Sequence, residues 1–148
     1  MHTNNIELAS VYRLSATSFR NSAEILERQF KEKREGMPFN IRSMPFYYLL
    51  SHACELLLKS ALLKRDFSPE QLRQYSVRHN LVGLANALSA KDIKLSERNM
   101  VVLRGLSRQH QSHDLRYTAL LDDGKPTYTP EPKDVYDLLD ELLMATRT

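Results

Sequence analysis

The sequence has little cysteine, glycine or tryptophan, and each shortage excludes a class of protein. Its single cysteine, Cys54, excludes an intramolecular disulfide and any cysteine-rich zinc site. Only four glycines occur, and they form no glycine-rich loop of the kind that cradles a nucleotide phosphate. Tryptophan is absent and the seven tyrosines are scattered, so the sequence offers no aromatic platform on which single-stranded bases would stack.

Long apolar runs are missing as well. The longest run falls far short of the ~20 residues that a membrane-spanning helix needs. The first residues, MHTNNIELAS, do not combine a basic region with an apolar run, so we expect no signal peptide. The sequence therefore predicts a cytoplasmic protein that makes no contact with a membrane.

What the sequence does contain is enough apolar material for a folded core and a modest excess of positive charge. The chain has 148 residues, of which 42% are hydrophobic, and this size fits one domain with a core of its own. The net charge is +3, and thirteen arginines outnumber eight lysines. Because the planar guanidinium group binds phosphate in a bidentate way, this balance is compatible with an anionic partner without requiring one.

Apolar residues recur at intervals of three and four along most of the chain, which is typical of amphipathic helices. The segment from Ile6 to about Lys33 predicts one long helix, and the charged, Gly- and Pro-containing stretch KEKREGMPFN ends it. The next segment, SMPFYYLLSHACELLLKSALLKR, is apolar almost all round. It predicts the central, most buried helix, with Ser43 as its N-cap and Pro45 in its first turn.

Four further helices are predicted, the first of them short. Ser68 and Pro69 mark the start of the short one, HNLVGLANALSA predicts the next, and Ser96 is the N-cap of ERNMVVLRGLSRQHQSH. The stretch LLDDGKPTYTPEP predicts a loop, whose Thr-Tyr-Thr is compatible with a short strand, and KDVYDLLDELLMA predicts the last helix. The predicted fold is all-α: an up-and-down, mostly antiparallel bundle of five main helices and one short helix, in a single domain over residues 1–148.

Three polar residues interrupt the predicted central helix on one face: His52, Glu55 and Lys59. One interpretation is an exposed Glu55–Lys59 pair at the edge of the bundle, worth ~0.3–0.5 kcal/mol. The other is a buried polar network with partners from other helices, for which His79 and Arg116 are candidates. The strong predicted burial of this helix favours the network, because a polar group in a core needs a partner.

The stretch LRGLSRQHQSHDLRY, residues 103–117, concentrates arginines and histidines. Arg108 and His113 have the spacing R-x4-H, and Arg104 and His110 have the spacing R-x5-H. Metal-free RNA cleavage requires this chemistry: a histidine with a pKa near ~6.5 transfers protons, and an arginine stabilises the scissile phosphate. On an ideal helix Arg108 and His113 project about 140° apart, so their convergence requires a distorted helix end or two protomers.

A metal centre is not expected at these histidines. His110 and His113 are three residues apart and share a helix face, but no carboxylate or third histidine accompanies them at ligand spacing. We therefore expect no metal and no other cofactor.

The combination of Glu55 and Lys59 in E-x3-K on an early helix with Arg108 and His113 in R-x4-H on a late helix resembles the HEPN domain superfamily. The stretches HACELLLKSALL, HNLVGLANAL and LRY are similar to those of small bacterial HEPN proteins, and the resemblance extends from about Pro45 to Met144. It implies an all-α bundle that forms a homodimer.

Active members of this superfamily are metal-independent endoribonucleases, and they often belong to a toxin–antitoxin or phage-defence system. The resemblance implies RNA or a nucleotide as the ligand, and an antitoxin or another protein as a partner. It also implies that Arg108 holds the phosphate and His113 is the acid/base, that the two residues meet their counterparts across the dimer, and that Glu55 and Lys59 lie nearby. Active members often have Asn, Asp or His directly after the arginine, whereas this sequence has Gln109.

Two alternatives stay open from the sequence. Many HEPN relatives lack catalysis and serve as nucleotide-binding or partner-binding modules. In that case one polar network, structural or anion-binding, is formed by His52, Glu55, Lys59, His79, Arg116 and Tyr117. The simplest alternative is a helical bundle in which residues 103–117 are only a solvated helix surface.

Overall fold

The computed structural model describes residues 3–33, 44–76, 80–112 and 130–147, and within these ranges it contains six helices and no strand. The helices are α1 (Thr3–Lys33), α2 (Met44–Leu63), α3 (Pro69–Ser76), α4 (Leu81–Ser89), α5 (Glu97–Ser112) and α6 (Pro132–Arg147). The predicted all-α helical bundle is confirmed. Ser43 and the Thr-Tyr-Thr segment at 127–129 lie outside the described residues.

Helix α2 lies at the centre of the bundle, as its apolar sequence predicts. Its most extensive contacts are with α1, and α6, α4 and α5 also pack against it. Each leucine that is removed fully from water here contributes roughly 1.5–3 kcal/mol to folding before its entropy cost. The fully buried leucines include Leu50, Leu58, Leu62 and Leu63 of α2, Leu84 and Leu88 of α4, Leu103 and Leu106 of α5, and Leu138 of α6.

Helix α1 packs on α2 through alanines. Ala9, Ala16 and Ala23 are all buried, and their seven-residue spacing keeps them on one line along the helix. These small side chains let the backbones approach closely, and the Ser60 hydroxyl of α2 donates a hydrogen bond of 2.7 Å to the Ala9 carbonyl of α1. Val11 does not take part in this packing. Its position is about 200° around the helix from Ala9, and its side chain is 54% exposed.

Polar caps fix the beginnings of the shorter helices. At the start of α3 the Gln71 N–H donates to Ser68 Oγ (3.1 Å) and the Ser68 N–H donates to Gln71 Oε1 (2.8 Å), which is a capping box. At α5 the Asn99 N–H donates to Ser96 Oγ at 3.2 Å. The predicted caps Ser68 and Ser96 are therefore confirmed.

Helix α4 has a cap that the sequence pattern did not indicate. Asn80 accepts a hydrogen bond of 2.9 Å from the Gly83 N–H through Oδ1. Gly83 has to be small here, because a Cβ at this position would lie 2.6 Å from Asn80 Nδ2. The Asn80–Gly83 pair thus fixes where α4 begins, beside α5.

Candidate functional site

The polar face of α2 contains a buried ion pair. Lys59 Nζ lies 2.9 Å from Glu55 Oε2, and the two side chains are only 14% and 4% exposed. The imidazole of His52, one turn earlier, meets the ring of Phe19 from α1 edge-on, with the ring centroids 4.7 Å apart. The Glu55–Lys59 pair therefore belongs to the interior and not to a solvated edge of the bundle.

The geometry of the Glu55–Lys59 pair offsets part of the cost of its burial. Removing two charges from water costs several kcal/mol for each ion, and their mutual attraction offsets this cost only when the geometry is good. The spacing of four residues on one helix supplies that geometry, with the carboxylate N-terminal to the ammonium, the more favourable order. Within the described ranges, no group of three metal-ligating side chains accompanies Glu55.

The outer face of α5 presents arginines to solvent. Arg104 and Arg108 lie one helical turn apart, and both side chains are exposed. Val101, one turn before Arg104, is 53% exposed on the same face. Arg98, nearer the start of the helix, donates a 2.8 Å hydrogen bond to Asp134 of α6. Exposed arginines thus occur in both halves of α5, at Arg98, Arg104 and Arg108.

The N-terminus of α4 lies against the C-terminal half of α5. The Val82 N–H of its first turn points at Ser107 Oγ, 3.4 Å away, and Ser107 is itself buried. The next N–H of this turn, that of Gly83, is bonded to Asn80 Oδ1, so these two amides at the start of α4 already have acceptors within the fold.

Not every residue that the sequence singles out lies in the described part of the chain. Within it, the structure brings Glu55 and Lys59 together, places His52 against Phe19 and exposes Arg104 and Arg108. His110 belongs to α5, but its side chain lies outside the description, as do the following residues in full: His79, His113, Arg116 and Tyr117. The convergence of Arg108 with His113 therefore stays a prediction.

A second polar cluster, which sequence patterns do not reveal, joins α1 to α6. Arg20 Nη1 donates a 2.7 Å hydrogen bond to Asp140 Oδ1, and the guanidinium lies 5.2 Å from the centre of the Tyr136 ring. The Tyr136 hydroxyl donates to Glu27 Oε1 at 2.9 Å. Burial, followed by the bond to Glu27, raises the pKa of Tyr136 above its ordinary value. These contacts join residues more than 100 positions apart, so no local spacing announces them.

The single cysteine has no chemical role in this arrangement. Cys54 is fully buried in α2, and burial raises the pKa of its thiol. Because the thiolate is the reactive form, a buried thiol with a raised pKa is a poor nucleophile and a poor metal ligand.

The cavities found among the described residues are too small for a nucleotide. One holds about 70 Å³ between α1, α2 and the end of α6, and another holds about 20 Å³ between α1, α2 and α6. Ordinary small-molecule pockets occupy roughly 300–1,000 Å³. Neither of these two cavities therefore fits a nucleotide-sized ligand.

No helix in the described ranges is long and apolar enough to span a bilayer. No protein-family model, curated protein or solved structure gives a significant match to the chain. The resemblance to HEPN proteins accordingly depends on the motifs at Glu55, Lys59, Arg108 and His113 and on the stretches HACELLLKSALL, HNLVGLANAL and LRY.

Proposed function

We propose that the protein is a HEPN-like, metal-independent endoribonuclease that binds RNA along the outer face of α5. The observation that carries this proposal is the pair of exposed arginines, Arg104 and Arg108, one helical turn apart on α5. Phosphate contacts from arginine are a usual means of holding a nucleic-acid backbone. A nuclease of this type fits a toxin–antitoxin or phage-defence system, in which a partner protein restrains it.

In the proposed reaction, histidine transfers protons and arginine stabilises charge. His113 takes the proton from a ribose 2′-OH, the 2′-oxygen attacks the adjacent phosphorus, and the bond to the 5′-oxygen breaks. The leaving 5′-oxygen receives a proton, so the products carry a 2′,3′-cyclic phosphate and a 5′-hydroxyl. Arg108 donates hydrogen bonds to the phosphate oxygens as negative charge builds on them. In the proposed homodimer the two copies supply the acid and the base from their separate histidines.

The test is cleavage of total tRNA and of a structured RNA in the presence of EDTA. We expect wild type to produce ends with a 2′,3′-cyclic phosphate, and Arg108→Ala and His113→Ala to lose this activity. Arg147→Ala is the matched control, because Arg147 is an exposed arginine at the far end of α6 and its variant should cleave like wild type. Absence of cleavage by folded wild-type protein would contradict the nuclease proposal.

A second candidate function is a non-catalytic module that binds a nucleotide or a partner protein. The Glu55–Lys59 pair favours it, since the Glu55 carboxylate is buried and bonded to Lys59, as in a structural polar network. This candidate predicts that wild type binds RNA or a mononucleotide without cleaving it. Arg104→Ala and Arg108→Ala should then weaken binding of an anionic ligand, while Arg147→Ala should not.

A further inference from the structure

The outer face of α1 is unusual because it has almost no charge. This face lies opposite the alanines that pack on α2, and it includes three apolar residues that are about half exposed or more: Val11 (54%), Leu14 (66%) and Ile25 (48%). Uncharged polar residues fill the positions between and around them, namely Asn4, Ser18, Asn21 and Ser22, all of them exposed.

A helix face that is exposed to solvent ordinarily carries more charged residues than this one. Charged residues make up 26% of the chain, and a helix surface directly opposite the core is where they should be most frequent. From Asn4 to Ile25 the only charged residue on this line is Glu7. Single exposed apolar residues need no explanation, but three in a line with uncharged neighbours indicate a contact surface.

The spacing of this line is that of a coiled-coil seam. Positions 4, 11, 18 and 25 form one seven-residue series, and positions 7, 14, 21 and 28 form the other, three residues later. When two such helices pair antiparallel, a residue of one series meets a residue of the other. In one register, the residue numbers of two facing residues sum to 39. Leu14 then packs against Ile25 of the second copy, and Ile25 packs against Leu14 of the second copy.

We propose that α1 is an interaction surface for a second copy of this chain, paired antiparallel in that register. The two Leu14–Ile25 layers are apolar, and the two layers between them pair Ser18 with Asn21, whose small polar side chains allow the helices to approach closely. A two-fold axis makes the contact self-complementary, because every pairing occurs twice.

The charges at the ends of the line complement each other in the same register. Arg28 falls level with Val11 of the second copy, and Glu7 lies one turn beyond Val11. The aliphatic part of Arg28 can thus cover Val11 while its guanidinium reaches Glu7. Both Glu7 and Arg28 are exposed, and neither forms an ion pair within the described part of a single chain.

This interface is separate from the proposed RNA site. The residues involved are on α1, whereas Arg104 and Arg108 are on α5, and nothing in the pairing depends on RNA binding or cleavage. If copies also meet at α5, as the resemblance implies, α1 supplies a second contact and the assembly is larger than a dimer.

The first test is the mass of the full chain in solution, measured by sedimentation velocity and light scattering. We expect the mass of wild type in solution to be a multiple of the 17.2 kDa chain mass. In Leu14→Glu, the association of two copies through α1 should be weaker by roughly 100-fold. Met144→Glu is the matched control, because Met144 is 58% exposed on α6, and it should associate like wild type.

Charge exchange tests the ends of the same surface. Arg28→Glu should weaken association by about tenfold, and the double variant Glu7→Arg/Arg28→Glu should restore most of it, since the pair is then reversed. Far-ultraviolet circular-dichroism spectra equal to that of wild type would show that all these chains fold alike. Equal masses for wild type and Leu14→Glu would overturn the proposal, whether that mass is of a monomer or of an oligomer.

A cross-link tests the register. Chains with Leu14→Cys and chains with Ile25→Cys are mixed and oxidised, and the native Cys54 does not interfere because it is fully buried. We expect a disulfide between the two different chains, since these positions face each other in the antiparallel pair. Cross-links within the Leu14→Cys chains alone would indicate parallel pairing and overturn the proposed register.

Discussion

At the scale of single residues, two ion pairs of identical spacing differ in their surroundings. Glu55–Lys59 is buried in α2, with side chains 4% and 14% exposed, whereas Lys133–Asp137 on α6 is solvated, at 78% and 41% exposed. Exposed pairs contribute between nothing and ~1 kcal/mol, because water and salt screen them. Breaking a buried pair costs more than breaking an exposed one, because water cannot fully solvate the charge that is left.

We predict that Lys59→Met lowers the free energy of unfolding by about 3 kcal/mol, because it removes the ammonium that lies 2.9 Å from a buried carboxylate. Lys133→Met is the matched control and should change the free energy of unfolding by less than about 0.5 kcal/mol. Urea unfolding followed by circular dichroism measures both. Combining Lys59→Met with Glu55→Gln should recover part of the loss. Equal effects of the two lysine variants would contradict this account of burial.

The sequence indicated this pair but not the Arg20 cluster, and the reason is physical. Glu55 and Lys59 are conspicuous because they interrupt a helix that is otherwise apolar, so the pattern itself implies burial. Arg20 lies on an amphipathic helix where a charge is unremarkable, and its partner Asp140 is 120 positions away. Only the packing of α1 against α6 makes Arg20 significant, and local periodicity contains no information about that packing.

At the scale of helices, α6 contributes a side chain to the N-terminal cap of α5. Glu141 of α6 accepts hydrogen bonds from the Ser96 backbone N–H (3.1 Å) and from Asn99 Nδ2 (2.8 Å). A carboxylate at this position satisfies an N–H at the start of α5 and interacts favourably with the helix dipole. The cap predicted at Ser96 is thus supported by a residue from another helix, which the sequence did not suggest.

We predict that Glu141→Ala and Ser96→Ala each lower the free energy of unfolding by about 1 kcal/mol, since each removes part of one shared cap. The double variant should cost less than the two single losses combined, because the Ser96 hydroxyl also bonds to Glu141 (3.3 Å). Thermal and urea unfolding of the three variants measure this coupling. Strictly additive losses would mean that Ser96 and Glu141 act independently.

The contact of Tyr136 with Glu27 joins α1 to α6 and should make stability depend on alkaline pH. Burial and the hydrogen bond to Glu27 raise the pKa of Tyr136 above its ordinary value of 10.0. The folded state therefore favours the neutral phenol. The resulting stabilisation is fully present below pH 10, the unfolded value, and it is lost as the pH rises from there through the folded pKa.

We predict that Tyr136→Phe lowers the free energy of unfolding by about 1.5 kcal/mol near neutral pH, because a hydrogen bond to a carboxylate is lost. The difference between wild type and variant should shrink as the pH is raised from about 9 to about 11. Urea unfolding at each pH measures it, and the other tyrosines cancel because both proteins contain them. A difference that stays constant above pH 10 would show that the phenol titrates normally.

Helix boundaries were predictable where a local signal marks them. Ser68 with Pro69, and Ser96, are caps that appear in the sequence as a hydroxyl residue before a helical pattern, and both are confirmed. The start of α4 was not assigned to Asn80, because the preceding residues give no composition change that marks it. The exposure of Val11 had no such signal, since an apolar side chain does not reveal on which side of a helix the partner lies.

At the scale of the whole molecule, the distribution of charge is more informative than its total. A net charge of +3 on 148 residues is too small for strong general attraction to nucleic acid. Arg98 is paired with Asp134 and Arg20 with Asp140 in ion pairs between helices that are largely at the surface. The proposed function leads us to expect that RNA binding and its dependence on salt are concentrated at Arg104 and Arg108 of α5.

We predict that the affinity for a single-stranded RNA falls linearly with salt on a double logarithmic plot, and that Arg104→Ala and Arg108→Ala each reduce the slope by about 0.7. Each substitution removes one phosphate contact, so fewer counterions are released on binding. His113→Ala should leave the slope nearly unchanged even if cleavage is lost, because a histidine that is neutral at pH 7.5 or above adds no charge. Arg147→Ala, at the far end of α6, is the control and should match wild type. If all three arginine variants change the slope equally, RNA is held by the general charge of the protein, and the face of α5 has no special part in binding it.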